Sequence, residues 1–338
     1  MLVMPANLTP QYSKAEEVYR QAKTNEEKIA ALEEMIRLLP KHKGTDSIYA
    51  DLKKRLSKLK DSAEQESKNK KKVFDPFRLE KQGAAQVLVL GGPNAGKSAL
   101  VSKLTSAPTH PTPYPFSTLA PIPGMMRFED VQIQLVDLPS FPSGDLPAGF
   151  LGLAKQADGA VLLADLESPE VLDHVEGLLR LLAEGHVRLV DSAPREESDT
   201  LSHDLPTLLL AVKVDVPGAR DMLPLVAESL AGRFTPVPVS METGEGLSDV
   251  PRRVFEMLRL IRVYSKKPGK PADYTSPFTL PKGKGGTVVD LAGKIHRDFP
   301  ENLREARIWG SARFEGQAVP RDFVLSDKDV VELHVDAE

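Results

Sequence analysis

The sequence of 338 residues has no cysteine and only one tryptophan. The absence of cysteine excludes disulfide bonds and zinc sites built on thiolates. No apolar run approaches the roughly 18 residues that a membrane-spanning helix needs, and the chain does not open with a charged segment followed by an apolar one. These absences predict a protein of the reducing cytoplasm that makes no membrane contact.

Charge is spread unevenly along the chain, although the formal net charge is only −4. Residues 1–82 carry 18 basic and 13 acidic side chains, residues 83–264 carry 14 and 23, and residues 265–338 carry 12 of each. An acidic middle repels nucleic acid. Any contact with nucleic acid is therefore expected from the two ends of the chain.

The first 82 residues are predicted to be helical. A capping-box pattern, Thr24-Asn25-Glu26-Glu27, opens an amphipathic segment that Pro40 ends, and a second such segment begins near Thr45 or Asp46. These segments predict a helical hairpin, followed by a polar, lysine-rich stretch at 68–72. The lysines suit either an RNA-binding arm or a solvated helix face with a linker, and charge alone favours the second interpretation.

From residue 86 onward the pattern changes to strands that alternate with helices. Strand-like apolar runs occur at 86–90, 131–136, 159–164, 206–212 and 235–239. This alternation predicts an α/β domain with a mostly parallel sheet, whose ligands bind at the carboxyl ends of the strands.

The first of these runs leads into Gly91-Gly92-Pro93-Asn94-Ala95-Gly96-Lys97-Ser98, the pattern of a phosphate-binding loop between a strand and a helix. Backbone N–H groups of such a loop point at one anion, Lys97 is expected to neutralise the β- and γ-phosphates, and the Ser98 hydroxyl is expected to hold Mg²⁺. The alternative, a glycine-rich turn without a ligand, is disfavoured because strand, helix, lysine and serine are all present. The candidate nucleotide-binding residues here are Gly91, Pro93, Asn94, Ala95, Gly96, Lys97, Ser98 and Ala99.

Two further positions complete the predicted metal site. Thr118 lies in a proline-rich loop and is expected to join the Mg²⁺ shell when a γ-phosphate is present, which makes it, with Lys97, a candidate catalytic residue. Asp137 follows the strand at 131–136 and is expected to reach Mg²⁺ through water.

The last two strand ends carry a candidate base site. Asp215 can accept hydrogen bonds from the N1–H and amino group of guanine, a donor pair that adenine lacks. The Lys213 stem is expected to cover the base. Ser240 is expected to brace the site, and Met241 to offer its backbone N–H to the base oxygen.

Five loops in this order resemble those of translation-factor-class GTPases, and the combination of the phosphate loop with Tyr114-Pro115-Phe116-Ser117-Thr118-Leu119 is similar to the Obg group, especially its DRG branch. Residues 264–335 resemble the TGS domain that closes DRG proteins. The resemblance implies a P-loop NTPase with a Ras-like G domain at 83–264, preceded by the helical hairpin at 1–82 and followed by a β-grasp, ubiquitin-like TGS domain at 265–338. The large insertion that DRG proteins carry within the G domain has little room between Asp137 and Lys213.

The same resemblance implies a Mg²⁺-dependent, slow GTPase switch that contacts the ribosome, ribosomal RNA or a translation factor through its ends. Four aromatic residues of the TGS segment are expected in its core rather than on a base-stacking surface. They are Tyr274, Phe278, Phe299 and Trp309.

The sequence departs from the family pattern at three positions. Ser140 replaces a glycine whose N–H meets the γ-phosphate, Val212 replaces a base-binding asparagine, and Met241 replaces an alanine. Phe141 stands where many GTPases have a water-orienting glutamine, although an apolar residue is usual at this position in the Obg group. Water must then be oriented differently, either with K⁺ held partly by Asn94 or by other means, in which case Asn94 only shapes the loop. The departures leave two alternatives open: a nucleotide-binding scaffold that hydrolyses little or no GTP, or a relaxed GTP/ATP preference, against which Asp215 argues.

Overall fold

The computed structural model describes residues 10–22, 25–39, 45–70, 75–106, 120–140, 146–147, 149–191, 202–230 and 233–335. The predictions for Thr24, Pro40, Thr118 and Phe141, and for the end of the lysine-rich stretch at 71–72, lie outside these residues. The chain divides into two units, Met1–Asp75 and Pro76–Glu338. Among the described helices, none combines the length and the apolar character needed to cross a bilayer.

The first unit contains three described helices, α1 (Pro10–Gln21), α2 (Asn25–Leu38) and α3 (Asp46–Lys70). The two predicted helices are α2 and α3, and α1 precedes them. Their apolar sides meet in one cluster that includes Tyr12 of α1, Leu32 and Met35 of α2, and Leu52 of α3. The predicted hairpin therefore buries its apolar stripe partly against α1, the helix that precedes it.

A twisted sheet forms the centre of the first part of the second unit. Its described strands are β1 (Gln86–Gly91), β2 (Ile122–Phe128), β3 (Val131–Asp137), β4 (Gly159–Asp165), β5 (Val187–Val190), β6 (His203–Val212) and β7 (Val237–Val239). The strand order is β2-β3-β1-β4-β6-β5, and β7 also pairs with β6. All described pairs are parallel except β2 with β3.

Helices cover both faces of this sheet. They are α4 (Lys97–Leu104), α5 (Phe150–Gln156), α6 (Val171–Glu184), α7 (Ala219–Ser229) and α8 (Val250–Met257). One apolar cluster lies under α5, α6 and α7, and a second lies under α4 and α8. The strands between these clusters are buried on both faces, and this explains why they appear in the sequence as continuous apolar runs.

All five predicted strands are present, as β1, β3, β4, β6 and β7. The two strands that were not predicted are both at the sheet edges. Edge strands are less buried, so their sequences do not form a continuous apolar run. β2 contains a proline and a glycine near its start, and β5 has only four residues.

A second sheet follows, built from β8 (Leu260–Lys266), β9 (Ala272–Pro281), β10 (Leu303–Trp309), β11 (Gln317–Val319) and β12 (Asp329–Val335) in the order β11-β10-β12-β8-β9. The helices α9 (Val288–Ile295) and α10 (Phe299–Asn302) lie between β9 and β10 in the chain. Val288, Leu291 and Ala292 of α9 pack on one face of the sheet, and a capping box formed by Thr287 and Asp290 begins this helix.

One predicted domain boundary falls inside a strand, and the other falls after the first compact unit has ended. The boundary after residue 264 cuts β8, whose Ile261 and Val263 already belong to the core of the second sheet, so we place the start of that domain near Leu260. At the other boundary the first unit ends at Asp75 rather than at residue 82, because Phe77 packs edge-to-face on Phe150.

The four aromatic residues of the second sheet do not share one environment. Phe278 and Phe299 pack against its core as predicted. Tyr274 is 62% exposed, so the core prediction is wrong for this residue. Its ring contacts that of Tyr264 in a tilted arrangement, with centroids 5.0 Å apart, and the Lys266 ammonium lies over the ring of Trp309. The side chains of Tyr274 and Trp309 therefore lie outside the apolar core of the second sheet.

An arginine joins the two sheets of this unit. The side chain of Arg262, on β8, is 4% exposed and forms ion pairs with Asp327 and with the β2–β3 turn residues Glu129 and Asp130. Its guanidinium also lies 5.1 Å from the ring centroid of Phe255. Arg262 and Asp327, which precedes β12, belong to the domain of the second sheet, whereas Glu129 and Asp130 connect two strands of the first sheet. This side chain therefore anchors one sheet on the other.

Candidate nucleotide-binding site

The carboxyl ends of the central strands meet at one edge of the first sheet. Val89 of β1 is in register with Asp137 at the end of β3, and Gly91 at the end of β1 is in register with Leu163 of β4. Val212 at the end of β6 is in register with Asp165 and with Val239 at the end of β7. The predicted phosphate, metal and base loops therefore start from the same edge, as the parallel order requires.

The phosphate loop turns from β1 into α4. Gly96 precedes the helix with φ of 83°, a backbone conformation that residues other than glycine adopt only with strain. Asn94 at the loop tip has φ of 55°, which asparagine tolerates better than most residues. This geometry supports the loop-shaping role of Asn94. Its participation in a K⁺ site stays a prediction.

Lys97, the first residue of α4, is almost fully buried at 7% exposure. Its Nζ donates to the carbonyl oxygens of Gly91 at 3.1 Å and Gly92 at 2.9 Å, and to the hydroxyl of Ser140. Burial lowers the pKa of Lys97 to about 8, and the nearby Asp137 carboxylate opposes that shift. The loop thus holds a desolvated cation where its backbone converges, an arrangement that can bind phosphate oxygens.

Ser98 and Asp137 are in direct contact. The Ser98 hydroxyl donates to Asp137 Oδ2 at 2.6 Å, while Asp137 Oδ1 is buried without a hydrogen-bond partner among the described residues. Burial raises the pKa of Asp137, and the Ser98 hydroxyl and the Lys97 charge oppose the shift. A buried carboxylate oxygen with unused acceptor capacity beside a hydroxyl fits a hard cation such as Mg²⁺, which prefers oxygen ligands and retains water.

The base loops follow β6 and β7, which are paired neighbours. Lys213 has φ of 64°, and its Nζ donates to Asp165 Oδ2 at 2.7 Å and Glu167 Oε2 at 2.9 Å. Two residues later, the exposed Asp215 makes no hydrogen bond or ion pair that the described part of the chain records. Ion pairing fixes the Lys213 stem, and the Asp215 carboxylate is left available to a ligand.

The loop after β7 is held by Ser240. This residue is fully buried, and its hydroxyl accepts hydrogen bonds from the backbone N–H groups of Glu242 at 3.2 Å and Thr243 at 3.0 Å. A methyl group built on Gly96 would lie 2.7 Å from Cε of Met241, so this side chain packs against the phosphate loop. Hydrogen bonds to Ser240 therefore hold the loop after β7 together, and Met241 packs this loop against the phosphate loop.

Two departures from the family pattern have a structural setting. Val212 is completely buried in the apolar cluster that also contains Val239, so valine contributes packing where asparagine would contribute hydrogen bonds. Ser140 lies against the phosphate loop, because its hydroxyl contacts both Lys97 and the carbonyl oxygen of Gly92.

The structure adds residues that the sequence analysis missed. A methyl group built on Gly92 would lie 2.9 Å from Nδ1 of His174, so the imidazole of α6 packs on the phosphate loop. Asp165 and Glu167 fix Lys213 from the end of β4. The rule that places ligands at carboxyl strand ends could have identified Asp165, which directly follows the strand-like run at 159–164, whereas no sequence signal could have identified His174.

Comparison with known proteins agrees with this arrangement. The protein family described as 50S ribosome-binding GTPase matches residues 86–191, and the TGS domain family matches residues 261–335. A GTP-binding protein of Methanocaldococcus jannaschii is 27% identical over 91% of this chain and 92% of its own length. Developmentally-regulated G-protein 2 of Arabidopsis thaliana is 25% identical over 91% of this chain and 90% of its own length. Ribosome-interacting GTPase 1 of Saccharomyces cerevisiae is 24% identical over 92% of this chain and 99% of its own length.

These relatives span nearly the whole chain, from the helical segment through both sheets. The GTPase family match covers the phosphate loop and β3, and the TGS family match covers the second sheet. The chain therefore contains a GTPase domain followed by a TGS domain, and relatives that it matches along nearly its whole length are GTP-binding proteins of the DRG type.

Proposed function

We propose that this protein is a slow, Mg²⁺-dependent GTPase that acts as a nucleotide-controlled switch in contact with the translation machinery. The observation that carries the proposal is the meeting of Lys97, Ser98 and Asp137 at the ends of two paired strands. A buried cation, a hydroxyl and a carboxylate at a helix start form the set of groups that binds a nucleotide phosphate with its metal.

In this proposal Lys97 binds the β- and γ-phosphates and stabilises the charge that develops when the γ-phosphoryl group leaves. Ser98, with Asp137 through water, holds Mg²⁺, which neutralises the phosphates when bound. Thr118 joins the metal shell from its loop. GTP would then order the Thr118 loop and the segment after Asp137, and hydrolysis would release both.

Asp215 selects guanine because its carboxylate accepts from two adjacent donors on that base. Lys213 covers the base with its stem, while Ser240 and the backbone of Met241 complete the pocket. The buried Val212 lacks the hydrogen bonds of an asparagine, so affinity is expected to be roughly three- to tenfold weaker than with asparagine in its place.

The partner is proposed to be the ribosome, ribosomal RNA or a ribosome-bound factor. The yeast relative is named as ribosome-interacting, which supports this partner class. Residues 1–82 are net basic and residues 83–264 net acidic, so contact through the helical arm and the TGS domain avoids repulsion by the G domain. With a ribosomal partner, the proposed site of action is the cytoplasm.

GTP turnover tests the proposal directly. Mg²⁺-dependent turnover above background, in K⁺ or in Na⁺, is expected for the native protein and should be lost in Lys97→Ala. Lys103→Ala is the matched control, because Lys103 is an exposed lysine of the same helix. Faster turnover in K⁺ than in Na⁺ supports the cation role of Asn94.

A nucleotide-binding scaffold is the second candidate, favoured by the contact of Ser140 with Lys97 and by the buried Val212. Binding of GTP without turnover in either salt supports the scaffold. Equal affinity for ATP and GTP points instead to relaxed base preference, and failure to bind any nucleotide contradicts both candidates.

A further inference from the structure

We propose that the Ser140 hydroxyl is a built-in competitor of the nucleotide phosphates for Lys97 and thereby limits the affinity of this site for GDP and GTP. The inference rests on the proposed function, since it concerns the same phosphate site. It assigns to Ser140 a role in setting affinity, where the family pattern has a glycine without a side chain.

The first support is the hydrogen-bond capacity of the lysine. An ammonium group has three N–H donors. In Lys97 they are directed to the carbonyl oxygens of Gly91 and Gly92 and to the hydroxyl of Ser140. Because only 7% of Lys97 is exposed, water has little access to this group. Protein acceptors therefore use the full donor capacity of the buried cation.

The second support is the chemistry of the serine. Its hydroxyl can accept from Lys97 and at the same time donate to the Gly92 carbonyl oxygen, which lies 3.3 Å away. Both ends of the contact are fixed by the fold, because Ser140 follows Asp137 by three residues and Asp137 is paired in register with Val89. The contact is thus a consequence of the strand pairing that also forms the phosphate loop.

A phosphate oxygen that binds Lys97 must replace one of these three acceptors. Gly91 and Gly92 contribute backbone carbonyls whose positions are part of the loop, so releasing either of them would change the loop itself. The Ser140 hydroxyl can leave by rotation about a single side-chain bond. The nucleotide therefore exchanges one hydrogen bond to Lys97 for another, and only the difference contributes to binding.

A different role for the same hydroxyl makes the opposite prediction. If Ser140 donated its proton to a bound phosphate, its removal would weaken nucleotide binding. If it competes, its removal strengthens binding. The variant would lack one hydrogen bond to Lys97 in the nucleotide-free protein, whereas the nucleotide complex, in which a phosphate has replaced Ser140, would lose nothing. The sign of the change in affinity therefore separates the two roles.

The test compares dissociation constants for GDP and a non-hydrolysable GTP analogue in the native protein, Ser140→Ala and Ser140→Thr. Ser140→Ala should bind both nucleotides about five- to tenfold more tightly, equivalent to about 1.0–1.4 kcal/mol. Ser140→Thr keeps the hydroxyl and should bind like the native protein. GMP, measured by displacement, should gain nothing, because it lacks the phosphates that reach the lysine.

Unchanged or weaker binding of GDP and the GTP analogue by Ser140→Ala overturns the proposal, and so does an equal gain for GMP. Ser140→Gly removes the same hydroxyl and repeats the test if the alanine variant unfolds. The proposed function fails separately: a native protein that binds neither nucleotide contradicts the G-domain assignment, whereas native binding with no effect of the alanine contradicts only the role of Ser140.

Discussion

The Ser98 hydroxyl donates a hydrogen bond of 2.6 Å to Oδ2 of Asp137 and so joins the start of α4 to the end of β3. The other carboxylate oxygen of Asp137 is buried without a partner in the described part of the chain. Burial raises the pKa of this carboxyl above its usual value. An ionised Asp137 therefore destabilises the metal-free fold, and a bound cation would relieve that cost.

Replacement of Asp137 by asparagine is expected to raise the melting temperature of the metal-free protein at neutral pH. The folded-state pKa is raised, so the folded protein binds more protons than the unfolded chain between the two pKa values, and stability falls as pH rises through this window. Asparagine removes this penalty. Thermal unfolding with and without Mg²⁺ and GDP checks the prediction: the variant should lose most of the Mg²⁺-dependent stabilisation that the native protein shows.

Nucleotide affinity is expected to fall at alkaline pH because of Lys97. Burial lowers the pKa of Lys97 to about 8, so the group is charged below pH 8 and loses its proton above it. The affinity for GDP should be nearly constant from pH 6.5 to 7.5 and about tenfold lower at pH 9. Lys97→Arg, which stays charged at these pH values, should show no comparable decline between pH 7.5 and 9 even if its affinity is lower throughout. An equal decline in both proteins contradicts the assignment.

Guanine preference is expected to depend on Asp215. Asp215→Ala removes the acceptor of two hydrogen bonds and should weaken GTP binding by about 10- to 100-fold, while ATP binding stays unchanged. Competition between ATP and GTP for a fluorescent nucleotide measures the ratio. Asp221→Ala, at an exposed carboxylate in the first turn of α7, is the matched control and should keep the preference. A preference that survives Asp215→Ala would show that other groups read the base.

The link between the two sheets should depend on Arg262. Its side chain is 4% exposed and pairs with three carboxylates that are themselves 25–50% exposed. Arg262→Ala leaves these carboxylates without their shared cation and should lower the free energy of unfolding by about 3 kcal/mol, at the low end for a buried pair because the partners are partly exposed. Fluorescence of Trp309, the single tryptophan, reports unfolding of the second sheet. Arg252→Ala, at a surface ion pair, should leave the transition nearly unchanged.

The strands that organise the candidate site were predictable because they are buried on both faces and therefore form continuous apolar runs. The same pattern placed Asp137 at the end of β3, Lys97 at the start of the helix that follows β1, and Asp215 in the loop after β6, where the structure has them. Local signals sufficed, because the position of each of these residues is set by the strand or loop that precedes it in the chain.

The features that could not be predicted depend on contacts between distant parts of the chain. Arg262 reaches Asp130 across 132 positions, and nothing in the sequence near either residue indicates that pairing. Tyr274 looked like a core residue because aromatic side chains usually are, yet β9 is an edge strand and leaves it exposed. The contact of Ser140 with Lys97 likewise depends on how β3 pairs with β1.

The central claim is that the bound nucleotide controls contact with the translation machinery. Co-sedimentation with ribosomes, carried out with a non-hydrolysable GTP analogue, with GDP and without nucleotide, tests it most directly. The account predicts that the fraction of protein bound to ribosomes differs between the GTP-analogue and GDP states, and that Lys97→Ala abolishes the difference. Ribosome binding that is the same in all three states, or no ribosome binding at all, would contradict it.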